Sequence, residues 1–171
     1  MNTNADSSAP PKHQKTEAMA KMFRAARNST HGTLTTYEPE SWKPVLYFFY
    51  GTLMDEKLLT GLLHLKYPPI LRPASIVNYS IKMWGPYPAL TDGPPGNVVN
   101  GMAYEVQEEG HEKRLAYYET DAYRCVSCFI KPASGGDQIS GKTFVWAGDP
   151  NDLRPGTFEL GAQKNGGHDS Q

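Results

Sequence analysis

The distribution of apolar and polar residues divides the chain into a polar beginning, a patterned middle and a polar end. Residues 1–42 contain little that a core could bury, so we expect a mostly disordered tail, with helix-forming composition at residues 17–27. Residues 161–171 are polar as well. The pattern therefore predicts a single folded domain at residues 43–160 between two tails.

Strand patterns outnumber helix patterns in the middle segment. Leucines at helical spacing follow Asp55, whose carboxylate can cap that helix, and a second helix is predicted at residues 108–118. Because helices and strands do not alternate one for one, we expect an α+β domain, with a small mixed-sheet β-barrel and two or three flanking helices. Apolar or alternating runs predict the strands, at residues 45–50, 70–84 (one or two strands), 98–106, 123–131 and 138–146.

Proline and glycine interrupt this pattern after the predicted strand region 70–84. The sequence Trp-Gly-Pro-Tyr-Pro-Ala-Leu at residues 84–90 predicts a rigid aromatic loop without regular structure. Residues 92–97 contain Asp, Gly, Pro and Asn and predict a turn.

Charge and hydropathy limit the classes of partner. The chain has 17 basic and 18 acidic residues and a net charge of -1, which does not favour nucleic acid as a partner. No apolar run is long enough to span a bilayer, and the N-terminal residues lack the apolar core of a secretory signal. We therefore expect a cytoplasmic protein. The oligomeric state is left open.

Cys125 and Cys128 form a Cys-x-x-Cys motif, which suits redox chemistry or half of a zinc site. They fall in a predicted strand, where residues three apart point to opposite faces, and no second cysteine pair exists. A structural role is therefore favoured, and neither a metal nor a cofactor is predicted.

Two features carry candidate chemistry. An apolar strand ends at Gly51, where successive backbone N–H groups can face an anionic or carbonyl oxygen. Glu119 ends a predicted helix beside aromatic residues, which would desolvate its carboxylate, raise its pKa and suit it to proton transfer. Pairing with Arg124 or simple surface exposure is the structural alternative. Neither a serine-hydrolase elbow nor a phosphate-binding loop occurs.

Four segments follow one another along the chain: YFFYGTL at 47–53, GPYPAL at 85–90, VNGMAY at 99–104, and LAYYE at 115–119 followed by Tyr-Arg at 123–124. In this order they resemble the γ-glutamylcyclotransferase-like superfamily, in its avirulence-induced-gene branch. Two further segments, at residues 82–85 and 144–149, resemble fungal members.

The resemblance implies a fold, a reaction and a site. The fold is a small β-barrel with flanking helices, and the reaction converts a γ-glutamyl amide to 5-oxoproline and a free amine without a cofactor. Glu119 is implied as the acid and base. Relatives carry Gly after this Glu, whereas this chain has Thr120, so we expect a change in pocket shape. The implied substrate-binding residues are Tyr50, Gly51, Thr52, Leu53, Trp84, Tyr87 and Tyr123.

Two other functions stay open at this point. The same scaffold and the same Glu119 would serve other acid/base chemistry on a small molecule in a biosynthetic pathway. A non-catalytic domain that only holds a ligand in its cleft is the other possibility.

Overall fold

A computed structural model describes residues 41–161 of the chain. The predicted short helix at 17–27 and nearly all of both predicted tails lie outside the described residues, and the predicted domain boundaries remain predictions. Within 41–161 the structure contains two α-helices, α1 (Glu56–Leu63) and α2 (Glu109–Glu119). The strands are β1 (Val45–Phe49), β2 (Arg72–Val77), β3 (Tyr79–Trp84), β4 (Tyr87–Asp92), β5 (Val98–Val106), β6 (Tyr123–Pro132) and β7 (Ile139–Trp146).

Five of these strands close into a barrel in the order β1, β5, β2, β6, β7. All neighbours are antiparallel except β7 and β1, which run parallel, with Tyr47 opposite Lys142 and Phe48 opposite Thr143. The Thr143 side chain donates a hydrogen bond to the Phe48 carbonyl across this seam at 2.9 Å. The predicted mixed-sheet barrel and α+β class are confirmed.

The predicted aromatic loop at 84–90 is wrong. Strands β3 and β4 form an antiparallel hairpin outside the barrel, with Trp84 opposite Tyr87 and Met83 opposite Pro88. Gly85, at φ 56°, and Pro86 make the two-residue turn. Proline can begin or edge a strand where its missing N–H is not needed, so Pro88 does not prevent pairing in a two-stranded sheet.

The two helices cover one side of the barrel. Asp55 caps α1 as predicted, since its carboxylate accepts hydrogen bonds from the N–H groups of Lys57 and Leu58. Leu59 and Leu63 on α1 and Leu115 on α2 are fully buried in one cluster with β1 side chains. Burial of each leucine contributes about 2 kcal/mol of hydrophobic stabilisation.

Alternation along β1 separates two apolar clusters. Tyr47 and Phe49 join the cluster under the helices, whereas Phe48 joins a second cluster that includes Ile76 and Leu90. Gly101 on β5 allows β5 and β1 to approach each other closely, because a Cβ at that position would collide with the Phe49 carbonyl oxygen.

The cysteine environments differ as the strand period predicts. Cys125 is exposed and Cys128 is buried in the second cluster, and both are free thiols. Burial raises the pKa of Cys128 to about 12, which keeps it a neutral thiol.

None of the helices within residues 41–161 has the length and apolar character required to cross a membrane.

Candidate active site

A cavity of about 340 Å³ opens where β1 ends. All eight residues predicted for the site line it, although they come from the segment after β1, the β3–β4 hairpin, α2 and β6. The roles of these residues remain predictions. The lining consists of Phe48, Phe49, Tyr50, Gly51, Thr52, Leu53, Trp84, Tyr87, Pro88, Tyr118, Glu119, Thr120, Tyr123 and Phe144.

The turn after β1, residues 51–53 (the donor turn), lines this cavity and carries backbone N–H groups without acceptors in the following helix. A short 3₁₀ helix, Thr52–Met54, follows Gly51, and its first internal hydrogen bond runs from the Met54 N–H to the Gly51 carbonyl at 3.0 Å. The N–H groups of Gly51, Thr52 and Leu53 come earlier and have no acceptor within this helix. They are therefore candidates to bind a ligand oxygen.

Gly51 is required at this turn because the hairpin packs against it. A Cβ added there would lie 2.8 Å from Cγ of Pro88, closer than real side chains approach. The ring of Pro88 has little freedom to move aside, since its residue is part of β4. Any larger residue at position 51 would push the hairpin and the turn apart.

Tyr50 joins three parts of the structure through its hydroxyl. The hydroxyl donates to the Phe144 carbonyl on β7 at 2.8 Å and accepts from the Leu90 N–H on β4 at 3.3 Å. Burial, followed by the charge of Glu119, raises its pKa, so the phenol stays neutral. The sequence alone favours a core role for Tyr50, but this side chain both packs and lines the cavity.

Thr52 connects the turn to α2. Its hydroxyl forms a 3.0 Å hydrogen bond with the hydroxyl of Tyr118, the residue immediately before Glu119. This contact fixes the distance between the donor turn and the end of the helix that carries the carboxylate.

Glu119 is the last residue of α2, and its side chain is partly buried in the cavity wall. Burial raises its pKa from 4.5 to about 7. In the part of the chain that is described, no ion pair joins it to Arg124, whose charge acts instead on Tyr79. A carboxyl group with a pKa near 7 exchanges protons readily at neutral pH.

Thr120 holds an unusual backbone conformation directly after Glu119. Its φ of 58° and ψ of -168° lie in a region that glycine adopts and β-branched residues avoid. The Thr120 hydroxyl accepts a 3.3 Å hydrogen bond from the Ala122 N–H. The geometry indicates that the chain bears strain beside the carboxylate.

Aromatic rings from the β3–β4 hairpin and β6 form the aromatic wall of the cavity. Trp84 packs 4.9 Å from Trp146 and 6.2 Å from Tyr87, and Tyr123 meets Trp146 edge-on at 5.5 Å. The Tyr123 hydroxyl donates to the Pro88 carbonyl at 3.0 Å, which attaches the hairpin to β6. These contacts fix Trp84 and Tyr123, while Trp84 and Tyr87 remain 39% and 48% exposed.

Sequence reasoning did not assign Pro88, Tyr118 or Phe144 to the site. The wrong loop prediction concealed Pro88, because only the hairpin brings it against Gly51. Tyr118 is 36% exposed and lines the cavity. Its position next to Glu119 was the available signal.

A second carboxylate, that of Glu112, lies on the same helix as Glu119 and has its own set of partners. Glu112 accepts hydrogen bonds from Trp42 at 3.0 Å, Tyr47 at 2.8 Å and Lys142 at 2.7 Å. Burial opposes its ionisation, but these three donors outweigh burial and lower its pKa. The cluster ties α2 to β1 and β7.

Metal ligands are not grouped in the described region. Among residues 41–161, no three His, Cys, Asp or Glu side chains lie together in a way that suits a metal ion.

Comparison with known proteins identifies the family. The model of the family described as gamma-glutamyl cyclotransferase, AIG2-like, matches residues 47–161. The chain belongs to this family. The match spans every element that lines the cavity, from the end of β1 to β7. No curated protein matches the chain.

Solved structures share the fold of this gamma-glutamyl cyclotransferase family member at low identity. A solution structure from Arabidopsis thaliana has a TM-score of 0.55 and 21% identity, over 66% of this chain and 76% of its own. A crystal structure of an AIG2-like protein from Mus musculus has a TM-score of 0.51 and 21% identity, over 64% and 82%. A structure described as a gamma-glutamyl cyclotransferase has a TM-score of 0.52 and 12% identity, over 61% and 68%. The resemblance of two segments to fungal members stays a prediction.

Proposed function

We propose that this protein is a cofactor-independent cyclotransferase that converts a γ-glutamyl amide to 5-oxoproline and a free amine. The observation that carries the proposal is the meeting of Glu119, with a pKa of about 7, and the donor turn after β1 in one cavity. Family membership supports the same class of reaction.

In the proposed reaction the substrate attacks itself. Its α-amine adds to its γ-carbonyl carbon, a new C–N bond closes the five-membered lactam, and the C–N bond to the leaving amine breaks. Because both reacting groups belong to one molecule, a cavity that folds the substrate supplies much of the acceleration. No oxidant, metal or second substrate enters this balance.

Glu119 carries the proton in both directions. Its carboxylate takes a proton from the attacking amine, which must be neutral to react, and the resulting acid protonates the leaving amine. A group whose pKa lies near the working pH is suited to both steps.

The donor turn acts on the carbonyl oxygen. The N–H groups of Gly51, Thr52 and Leu53 bind the γ-glutamyl group and stabilise the negative charge that develops on the tetrahedral oxygen. The hydrogen bond between Thr52 and Tyr118 holds these donors at a fixed distance from Glu119. Tyr50 braces the same turn through Phe144 and Leu90.

The test is release of 5-oxoproline by the full chain from a panel of γ-glutamyl dipeptides, γ-glutamyl-lysine, glutathione and γ-glutamyl amides of simple amines. We expect turnover of at least one compound and a decrease of about 10²- to 10⁴-fold in Glu119→Gln, which removes the base but keeps the shape. Glu109→Gln is the matched control, since Glu109 lies on the same helix in an exposed pair with Lys113.

Two outcomes would contradict the proposal. If Glu119→Gln retains full activity, the carboxylate is not the base. If no γ-glutamyl compound yields 5-oxoproline, other acid/base chemistry on this scaffold, or ligand binding without catalysis, becomes the better account.

A further inference from the structure

We propose that the leaving half of the substrate is an arylalkylamine without a carboxylate, so that the natural substrate is a γ-glutamyl arylalkylamide. This inference rests on the proposed function and specifies its substrate class. The reaction then releases 5-oxoproline and an arylalkylamine, with the proton returned by Glu119 to the amine nitrogen.

The first argument is the charge of the cavity wall. Among the lining residues that the structure describes, none is Lys, Arg or His, and Glu119 is the one acidic residue. The N–H groups of the donor turn are then shared between the reacting carbonyl oxygen and the one carboxylate of the γ-glutamyl group, so a second carboxylate would compete for them. A second carboxylate, as in a γ-glutamyl amino acid, would lose water against an apolar wall without a cation to compensate.

Three cations of the described region have partners outside the cavity. The Arg154 guanidinium donates to the carbonyls of Asn151 and Leu153, and the Arg114 guanidinium donates to the Leu63 carbonyl. Lys142 pairs with Glu112. None of these groups lines the cavity, so none is placed to receive a substrate carboxylate.

The second argument is the aromatic wall. Trp84 and Tyr87 remain substantially exposed although they line a cavity, and the hairpin holds them side by side. Packing of Trp84 on Trp146 fixes its orientation, so a flat ring can stack on the hairpin with little loss of side-chain freedom. The faces of aromatic rings are electron-rich and repel an anion, which acts against a carboxylate in the same place.

The decisive experiment compares two substrates that differ in one group. γ-Glutamyl-phenethylamide and γ-glutamyl-phenylalanine share the same ring and linker, and only the second carries the extra carboxylate. We expect kcat/KM for 5-oxoproline release to be roughly 10-fold or more higher for the phenethylamide. Equal or faster turnover of γ-glutamyl-phenylalanine would overturn the proposal.

A third substrate tests the ring itself. γ-Glutamyl-butylamide lacks both the ring and the carboxylate, and we expect its kcat/KM to fall below that of the phenethylamide. If the butylamide is turned over as well or better, the aromatic part of the proposal is wrong.

A variant that supplies a cation tests the cause. Tyr87→Arg places a guanidinium on the cavity wall, and we expect it to shift the ratio of kcat/KM toward γ-glutamyl-phenylalanine. Tyr117→Arg is the matched control, because Tyr117 is 87% exposed on α2 and does not line this cavity. It should leave the ratio unchanged, and an equal shift in both variants would overturn the local charge argument.

Binding separates this inference from the proposed function. If no compound yields 5-oxoproline, the proposed function fails, and calorimetry with N-acetylphenethylamine and N-acetylphenylalanine still tests the cavity. We expect the first to bind and the second to bind roughly 10-fold or more weakly, with Trp84→Ala weakening the first. Tighter binding of N-acetylphenylalanine would overturn the inference.

Discussion

Glu112 and Glu119 belong to the same face of one helix, yet their surroundings give them opposite properties. Glu112 receives three hydrogen bonds from groups on other elements, and its pKa is lowered. Glu119 is buried among rings, and burial raises its pKa to about 7. The same residue type is thus stabilised as an anion in one place and left able to exchange a proton at neutral pH in the other.

The difference shows how this fold separates structural and chemical roles. Donors from Lys142, Trp42 and Tyr47 stabilise the Glu112 carboxylate, and that carboxylate in turn joins α2 to the barrel. The hydroxyls near Glu119 are directed elsewhere, since Tyr123 donates to Pro88 and Tyr50 to Phe144. These hydroxyls do not stabilise the ionised form of Glu119, so burial sets its pKa.

The largest expected difference between the two glutamates is the effect of Glu119→Gln on the pH dependence of the free energy of unfolding. The native state keeps the Glu119 proton up to about pH 7, whereas the unfolded state loses it near pH 4.5, so wild-type stability falls as pH rises through this window. Gln does not titrate. We expect Glu119→Gln to gain up to about 3 kcal/mol relative to wild type between pH 4.5 and 8. Urea unfolding across this range measures the gain, and a constant difference would contradict the raised pKa.

The pH dependence of activity is the next largest effect. Proton abstraction needs ionised Glu119, so kcat/KM should rise with pH to a plateau, with a midpoint of about 7. Between that plateau and pH 5 we expect a fall of roughly 100-fold, equivalent to about 2.7 kcal/mol. Initial rates of 5-oxoproline release provide the profile. A midpoint near 4.5 would mean that burial does not perturb the carboxyl group.

Glu112→Gln should act in the opposite direction. The substitution removes the charge that Lys142, Tyr47 and Trp42 stabilise, and we expect a loss of about 2 kcal/mol at pH 7. Because the Glu112 pKa is lowered, its contribution is present above the unfolded pKa and disappears as pH falls through the folded value. The deficit should therefore shrink in acid.

Chemical denaturation at pH 7 and pH 3 measures the Glu112 effect. Glu109→Gln serves as the control, with an expected change of about 0.5 kcal/mol or less for an exposed pair. A deficit that grows in acid would contradict a stabilised anion.

Thr120→Gly should have the smallest effect on stability, and it tests the backbone strain next to Glu119 at the end of α2. Glycine adopts φ 58° and ψ -168° without a clash, so we expect a gain of about 1 kcal/mol despite its greater freedom in the unfolded chain. His64→Gly is a matched control, because His64 occupies the milder left-handed region at φ 54° and ψ 42°. A loss of stability in Thr120→Gly alone would indicate that its bond to Ala122 outweighs the strain.

Local pattern predicted much of the fold. Apolar or alternating runs predicted β1, β5, β6 and β7 nearly at their observed bounds, and predicted one region, 70–84, that contains β2 and β3. The leucine spacing after Asp55 predicted α1 with its cap. The hairpin strand β4 was missed because Pro88 was read as a breaker, whereas a two-stranded sheet outside the barrel does not need its N–H. The sequence of one segment does not show which other strand it will pair with in the folded protein.

The sequence by itself determined which residues are available: a glycine at the end of an apolar strand, a glutamate after an aromatic pair, and the period that places Cys125 and Cys128 on opposite faces. Only the tertiary structure decided that β7 closes the barrel beside β1, and that the hairpin brings Trp84, Tyr87 and Pro88 over the turn at Gly51. It also decided that Glu112 meets a lysine while Glu119 meets rings. The reason is physical: helix and strand periods act over a few neighbouring residues, whereas the pKa of a carboxylate depends on groups brought close by folding.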